Sequence, residues 1–165
     1  MGRQSYSSRL TTNDCKSISV KFLKSNLYFY KGGSDGMKWK NTKGAETGSI
    51  GFSVSMIAGN EHIRLVYTRV VDFSGEKFDL DYTVRLSSTP CYFGGRRWWF
   101  RCPLEEDGRV CNRRAGTLYL AGDKYFGCRI CYNLTYESSR DSHRFDGVVQ
   151  RMGYADYKIF KKILR

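Results

Sequence analysis

The chain has 165 residues, enough for one ordinary domain with a small appendage, and at this length about 70% of the unfolded surface can be buried. With 41% hydrophobic residues, 15% aromatic residues and only two prolines, it is neither a disordered nor a low-complexity chain. Its 28 Lys and Arg against 16 Asp and Glu give a formal net charge of +12, a field that attracts polyanions: nucleic acid first, an acidic protein surface second.

The first dozen residues, beginning MGRQSYSSRL, read as a frayed end without the apolar core of a signal peptide. No run of about twenty apolar residues follows to span a bilayer. A soluble, cytoplasmic protein is therefore expected. Between Ile18 and Leu86 apolar and polar residues alternate with the two-residue period of a half-buried strand. SISVKFLKSNLYFYKGGSDGMKWKN reads as one or two strands and a glycine-rich loop. SIGFSVSM then puts Ile50, Phe52, Val54 and Met56 on one face, HIRLVYTRVV puts Ile63, Leu65 and Tyr67 there, and KFDLDYTVRLSS adds Phe78, Leu80, Tyr82, Val84 and Leu86. AGNE and FSGEK between them have hairpin chemistry.

After Pro90 the alternation gives way to cysteines, arginines and aromatics. From Glu137 onward Phe145, Val148, Val149 and Met152, then Ile159, Phe160, Ile163 and Leu164, fall at helical spacing. The expected class is mainly β: an antiparallel β domain over residues 15–90, a four-cysteine zinc ribbon over 91–136, and short C-terminal helices over 137–165.

Cys102 and Cys111 are separated by eight residues, Cys128 and Cys131 by two, and sixteen lie between the pairs. Two such pairs suit a tetrahedral four-thiolate site, most often zinc, which leaves no open position for substrate and is therefore structural. Eight intervening residues exceed the usual two to four, so LEEDGRV has to loop out of the first turn. Of the other two cysteines, Cys15 has no assigned role, and Cys91 reads as a small buried residue at a strand end. His62 and His143, the two histidines, sit at no ligand spacing.

The stretch TPCYFGGRRWWFRCPLEEDGRVCNRRAGTLYLAGDKYFGCRICYNLTYES resembles a family of uncharacterised bacterial proteins with a zinc ribbon near their C-terminal side. In that family Thr-Pro-Cys, Phe-Gly-Gly-Arg-Arg, two cysteine pairs, a Leu-Tyr-Leu strand and Tyr-x-Leu-Thr-Tyr recur as a unit. The resemblance implies a ribbon with ligands Cys102, Cys111, Cys128 and Cys131, and it implies no activity. The family runs on into longer basic helices where this sequence has KIFKKILR.

Arg96, Arg97, Arg101, Arg109, Arg113 and Arg114 are candidates for phosphate contact, and Trp99 for stacking on a base. Strand alternation in RRWWFRC puts Trp98 and Phe100 on one face, the core, and Arg97, Trp99 and Arg101 on the other. Catalytic groupings are thin: Asp79 and Asp81 share a strand face, and Asp141-Ser142-His143 are adjacent in sequence. The sequence thus predicts a non-enzymatic nucleic-acid-binding module, DNA or RNA, with a structural zinc. The rival is a protein-interaction subunit or inhibitor, an adaptor or a phage or mobile-element protein, that docks its basic surface on an acidic patch of a larger nucleic-acid-handling complex.

Overall fold

The computed structural model describes residues 9–70, 76–106, 108–122 and 124–141. They fall into two compact units, one within residues 15–132 and a smaller one in which residues 9–14 cluster with 133–141.

The larger unit is mainly β. It runs β1 (Lys16–Ser19), α1 (Val20–Ser25), α2 (Tyr28–Lys31), β2 (Gly33–Lys40), β3 (Glu46–Ser55), β4 (His62–Val70), β5 (Lys77–Pro90), β6 (Arg96–Arg101), β7 (Glu105–Glu106), β8 (Arg109–Val110), β9 (Arg114–Ala115) and β10 (Thr117–Leu120). Six strands form one curled antiparallel sheet in the order β2-β3-β4-β5-β6-β9, while β1 pairs with β10 and β7 with β8 in separate ladders. The long strand β5 gives residues 77–85 to β4 and residues 86–90 to β6. The sheet thereby continues into β6 and β9, the strands that flank the first cysteine pair.

The expected alternation of β3, β4 and β5 is present: Ile50, Phe52, Val54, Ile63, Leu65, Tyr67, Leu80, Val84 and Leu86 all belong to the core. Pairs such as Phe52↔Leu65 and Ile63↔Val84 keep that face continuous from strand to strand. The segment read as one or two strands and a glycine-rich loop does hold two strands, one at each end, but two short helices lie between them and Gly33 and Gly36 fall within β2. Ser19 caps the first, its hydroxyl accepting from the Phe22 amide at 3.2 Å, and Gly32 ends the second at φ 64°, where an added Cβ would meet the Val54 carbonyl at 3.0 Å. Leu23 and Phe29 from these helices, Ile18 from β1, Leu118 and Leu120 from β10, and Phe126 close over the sheet's apolar face. At about 25 cal/mol per Å² of apolar area removed from water, each such side chain stabilises the fold by roughly 1.5–3 kcal/mol.

In the smaller unit a 3₁₀ turn, Thr12–Asp14, is closed by the Asp14 carboxylate, which accepts from the Thr11 amide at 3.0 Å. A parallel bridge joins Thr11 to Thr135, and α3 covers Glu137–Asp141. The helical pattern from Phe145 to Leu164, together with His143, lies outside the described residues. Among those described, no helix is long and apolar enough to cross a membrane.

Candidate metal centre and the basic sheet face

Two turns bring the four cysteine sulfurs within 4.8 Å of one another. The first departs from β6. Cys102 donates its amide to the Arg113 carbonyl at 3.0 Å and receives the Asn112 amide on its own carbonyl at 3.1 Å. The eight-residue spacing is reconciled by a local excursion: β7 and β8 form a small hairpin in which Glu105 faces Val110 and Glu106 faces Arg109, and the Cys111 amide reaches the Leu104 carbonyl at 2.8 Å. The chain leaves at Leu104 and returns at Cys111, so in space the turn reads Cys-Pro-Leu-Cys. Asn112 then turns the chain with φ 49°, a left-handed conformation that Asn tolerates better than most residues.

The second turn is Cys128-Arg129-Ile130-Cys131. It is positioned by β10, whose Tyr119 exchanges two backbone hydrogen bonds with Gly127, at 2.8 and 2.9 Å. The sheet holds the approach to it as well. Tyr82 Oη accepts from the Phe126 amide at 2.8 Å, Tyr67 Oη donates to the Lys124 carbonyl, and the Phe126 ring packs edge-on to Tyr67 at 5.5 Å. Burial pushes both tyrosine hydroxyls above their ordinary pKa, which keeps them neutral hydrogen-bonding groups.

The sulfurs of Cys102 and Cys131 are 3.9 Å apart, those of Cys111 and Cys128 3.9 Å, and those of Cys128 and Cys131 3.6 Å. Four thiolates at ~2.3 Å around a tetrahedral ion stand about 3.8 Å from one another. The cluster therefore fits a metal ion such as zinc. Its sulfurs also receive backbone donors, from the Cys128 amide to Cys102 at 3.2 Å and from the Cys131 amide to Cys128 at 3.5 Å. As free thiols they differ: burial pushes Cys102 up to about 11, whereas at Cys128 burial is outweighed by amide and thiol donors and its pKa falls. Cys102 and Cys128 are buried, Cys111 and Cys131 partly so. Cys91, expected inside, is exposed, because it opens the turn between β5 and β6 instead of ending a buried strand.

The sequence-picked arginines divide. Arg97, Arg101 and Arg114 share the sheet face turned away from the core with Trp99, whose partner across the ladder is Ser87. Arg97 lies over the Trp99 ring at 4.6 Å, and Trp99 Nε1 donates to Thr89 Oγ1 at 3.2 Å. Trp98 is on the core side, stacked on Phe29 at 5.3 Å. Arg96 begins β6, and Arg109 and Arg113 lie exposed around the first cysteine turn.

Register brings in Arg85, which reading along the chain had passed over, and His62, which it had set aside as a metal ligand. His62 faces Arg85, Arg101 faces Arg114, and Arg85 stands one position beyond the Leu86↔Phe100 pair, beside Arg101. His62, Arg85, Arg101 and Arg114 thus form one row across β4, β5, β6 and β9. Only the pairing register could have joined them.

No protein-family model, curated protein or solved structure matches the chain. Of the family resemblance, what the structure supports is the four-cysteine cluster that could bind a metal.

Proposed function

We propose that the chain is a non-enzymatic nucleic-acid-binding module of the cytoplasm, in which zinc held by Cys102, Cys111, Cys128 and Cys131 fixes the end of a basic sheet face. The sulfur spacing supports zinc, and four protein ligands close its coordination sphere, which suits a structural ion. When bound, the metal supplies charge neutralisation for the thiolates and a cross-link between the two turns.

The observation that carries the nucleic-acid reading is the cationic row. Like charges directly opposite on neighbouring strands cost stability, yet Arg101 stands directly opposite Arg114, and Arg85 follows one position beyond the last β5–β6 pair. Arg101 donates to the Asn112 carbonyl at 3.1 Å, but among the described residues no ion pair joins these arginines to a carboxylate; phosphates along the row would supply counter-charge, and Arg presents a fork of donors suited to them. The strand carboxylates are otherwise engaged. Asp81 takes a bidentate hold from Arg64, with Nε to Oδ1 at 2.7 Å, and this keeps its carboxyl below the usual range; Asp79 accepts from the Thr68 hydroxyl at 2.6 Å. That engagement favours a binding role over acid–base chemistry.

The test is binding of the zinc-loaded protein to labelled single- and double-stranded DNA and RNA across a salt series. Affinity should fall with a log–log slope of about −0.7 to −0.9 per phosphate contact. Changing Arg85, Arg101 and Arg114 together to Ala should reduce that slope by roughly two to three. Absence of binding at low salt would overturn the reading. If the triple variant instead keeps its nucleic-acid affinity and loses a pull-down partner, docking on an acidic protein patch replaces it.

A further inference from the structure

The turn between β5 and β6 is held tightly and yet carries its bulk outward. The Gly94 amide donates to the Cys91 carbonyl at 3.0 Å, and the Cys91 amide donates to the Gly95 carbonyl at 3.1 Å. Gly94 and Gly95 return the chain at φ 86° and 79°, a conformation that glycine adopts without strain. Tyr92 and Phe93 occupy the two central positions of the turn, where Pro, Asp, Asn or Ser is the ordinary choice. They are 96% and 97% exposed, the most exposed large hydrophobic residues among those described. The rings meet each other edge to face, with centroids 5.1 Å apart. This arrangement leaves ring faces open to solvent.

We propose that Tyr92 and Phe93 are base-stacking residues that receive unpaired bases of a single-stranded nucleic acid whose backbone runs along β6. This inference rests on the nucleic-acid reading above and names the form of the ligand and the residues that would select it. Residues 87–104 contain Arg96, Arg97 and Arg101 and no carboxylate, so the tip and its flank suit a polyanion. From the tip the outer face of β6 presents Arg97, Trp99 with that guanidinium over its ring, and then Arg101, where the cationic row crosses. Cations and flat rings alternating along a strand are the combination that single-stranded nucleic acid takes, with charge tracking phosphate and rings accepting bases of any identity. A duplex keeps its bases stacked and offers the rings nothing to receive.

The tip is also presented rigidly. Five residue pairs hold β5 to β6, Phe100 is fully buried, and Trp98 stacks on Phe29 with the ring planes 8° apart. Little ordering is left to accomplish on binding, which preserves more of the stacking energy as affinity. A bilayer or an apolar protein groove would take the same rings by burial alone. Neither has a use for the arginines that follow directly, except where its surface is anionic.

The experiment uses the full-length, zinc-loaded protein with two double variants, Tyr92→Ala/Phe93→Ala and Tyr92→Leu/Phe93→Leu. The first removes the rings; the second keeps apolar bulk without a π face. Binding is read by anisotropy with a labelled oligothymidylate of about twelve nucleotides, a duplex of similar length, and vesicles of anionic phospholipid. Both variants should bind the single strand at least about tenfold more weakly, with salt slope, duplex affinity and melting temperature unchanged. Undiminished single-strand binding by the Ala variant overturns this inference and leaves the proposed function standing. Undiminished binding by the Leu variant alone replaces stacking with apolar burial and overturns it too. Vesicle binding that depends on the pair, with oligonucleotide binding indifferent to it, assigns the tip to a lipid surface and overturns the inference. Failure of the unmodified protein to bind any oligonucleotide removes both readings together.

Discussion

If the chain leaves the metal turn at Leu104 and rejoins it at Cys111, the excursion between them is dispensable for metal binding. Replacing residues 105–110 with Asn-Gly keeps the Leu104–Cys111 hydrogen bond as the flank of a two-residue hairpin, for which Asn-Gly is the favoured sequence. The spacing becomes Cys-Pro-Leu-Asn-Gly-Cys, within the usual range for a knuckle. Two effects oppose each other. The cross-strand pairs Glu105–Val110 and Glu106–Arg109 are lost, at roughly 0.2–1 kcal/mol each. Shortening the closed loop threefold gains about 1 kcal/mol of closure entropy. The net should stay within about 1 kcal/mol, a shift of no more than about 2–4 °C in melting temperature for a chain of this size. Zinc content by native mass spectrometry and retention against a chelator should match those of the parent protein, while Cys111→Ser should lose the metal. A shortened variant that folds and binds no zinc would refute the local-excursion account and make the small hairpin part of the site.

The remaining predictions concern the same centre. Cys128→Ser should release the metal, forfeiting binding free energy on the order of 10 kcal/mol that is coupled to folding; retained zinc with unchanged melting would sink the assignment. Gly127→Ala places a methyl group against Leu104, with Cγ at 2.7 Å, and Tyr132, with Cε2 at 2.9 Å. This overpacking should destabilise by about 1–3 kcal/mol, and equality with the parent in thermal melts would contradict so close an approach. Each thiol must lose its proton before it can bind metal, and burial holds Cys102 near 11. Protons compete with the metal for every thiolate, the more so where burial raises a thiol's pKa, so metal retention should weaken progressively as pH is lowered, measured by chelator competition; a pH-independent profile would contradict thiolate ligation.

Which of these features could be read from the residues alone follows from the range of the physics behind them. The strands β3, β4 and β5 were legible because one face of each is buried in an unbroken two-residue alternation, and the four cysteines because ligand spacing is a local property. The helices α1 and α2 were not. Val20–Ser25 and Tyr28–Lys31 are too short to display a 3.6-residue period, and their β-branched and aromatic residues favour strands when taken alone. Only the Ser19 cap betrays the first. Cys91 was misplaced because a residue after a strand can enter the core or open a turn, and the glycines that decide the matter come three and four positions later. The cationic row was beyond sequence altogether, since Arg85 and Arg101 become neighbours through a register that neither segment states.

The pairing of β1 with β10 has a temporal consequence. Lys16 waits for Leu120, roughly a hundred residues further along, which at ordinary rates of synthesis is an interval of about 5–20 s. Until then the growing chain can complete the hairpins β2 to β5, yet it lacks Leu118, Leu120 and Phe126 to cover Phe52, Val54, Ile63 and Leu65. Cys131, the last of the four clustered cysteines, emerges shortly after Leu120, so closing the core and completing the cluster become nearly one event. Were the cluster to take a metal, its shortage would leave the newly made sheet with its apolar side bare until the last turn closed.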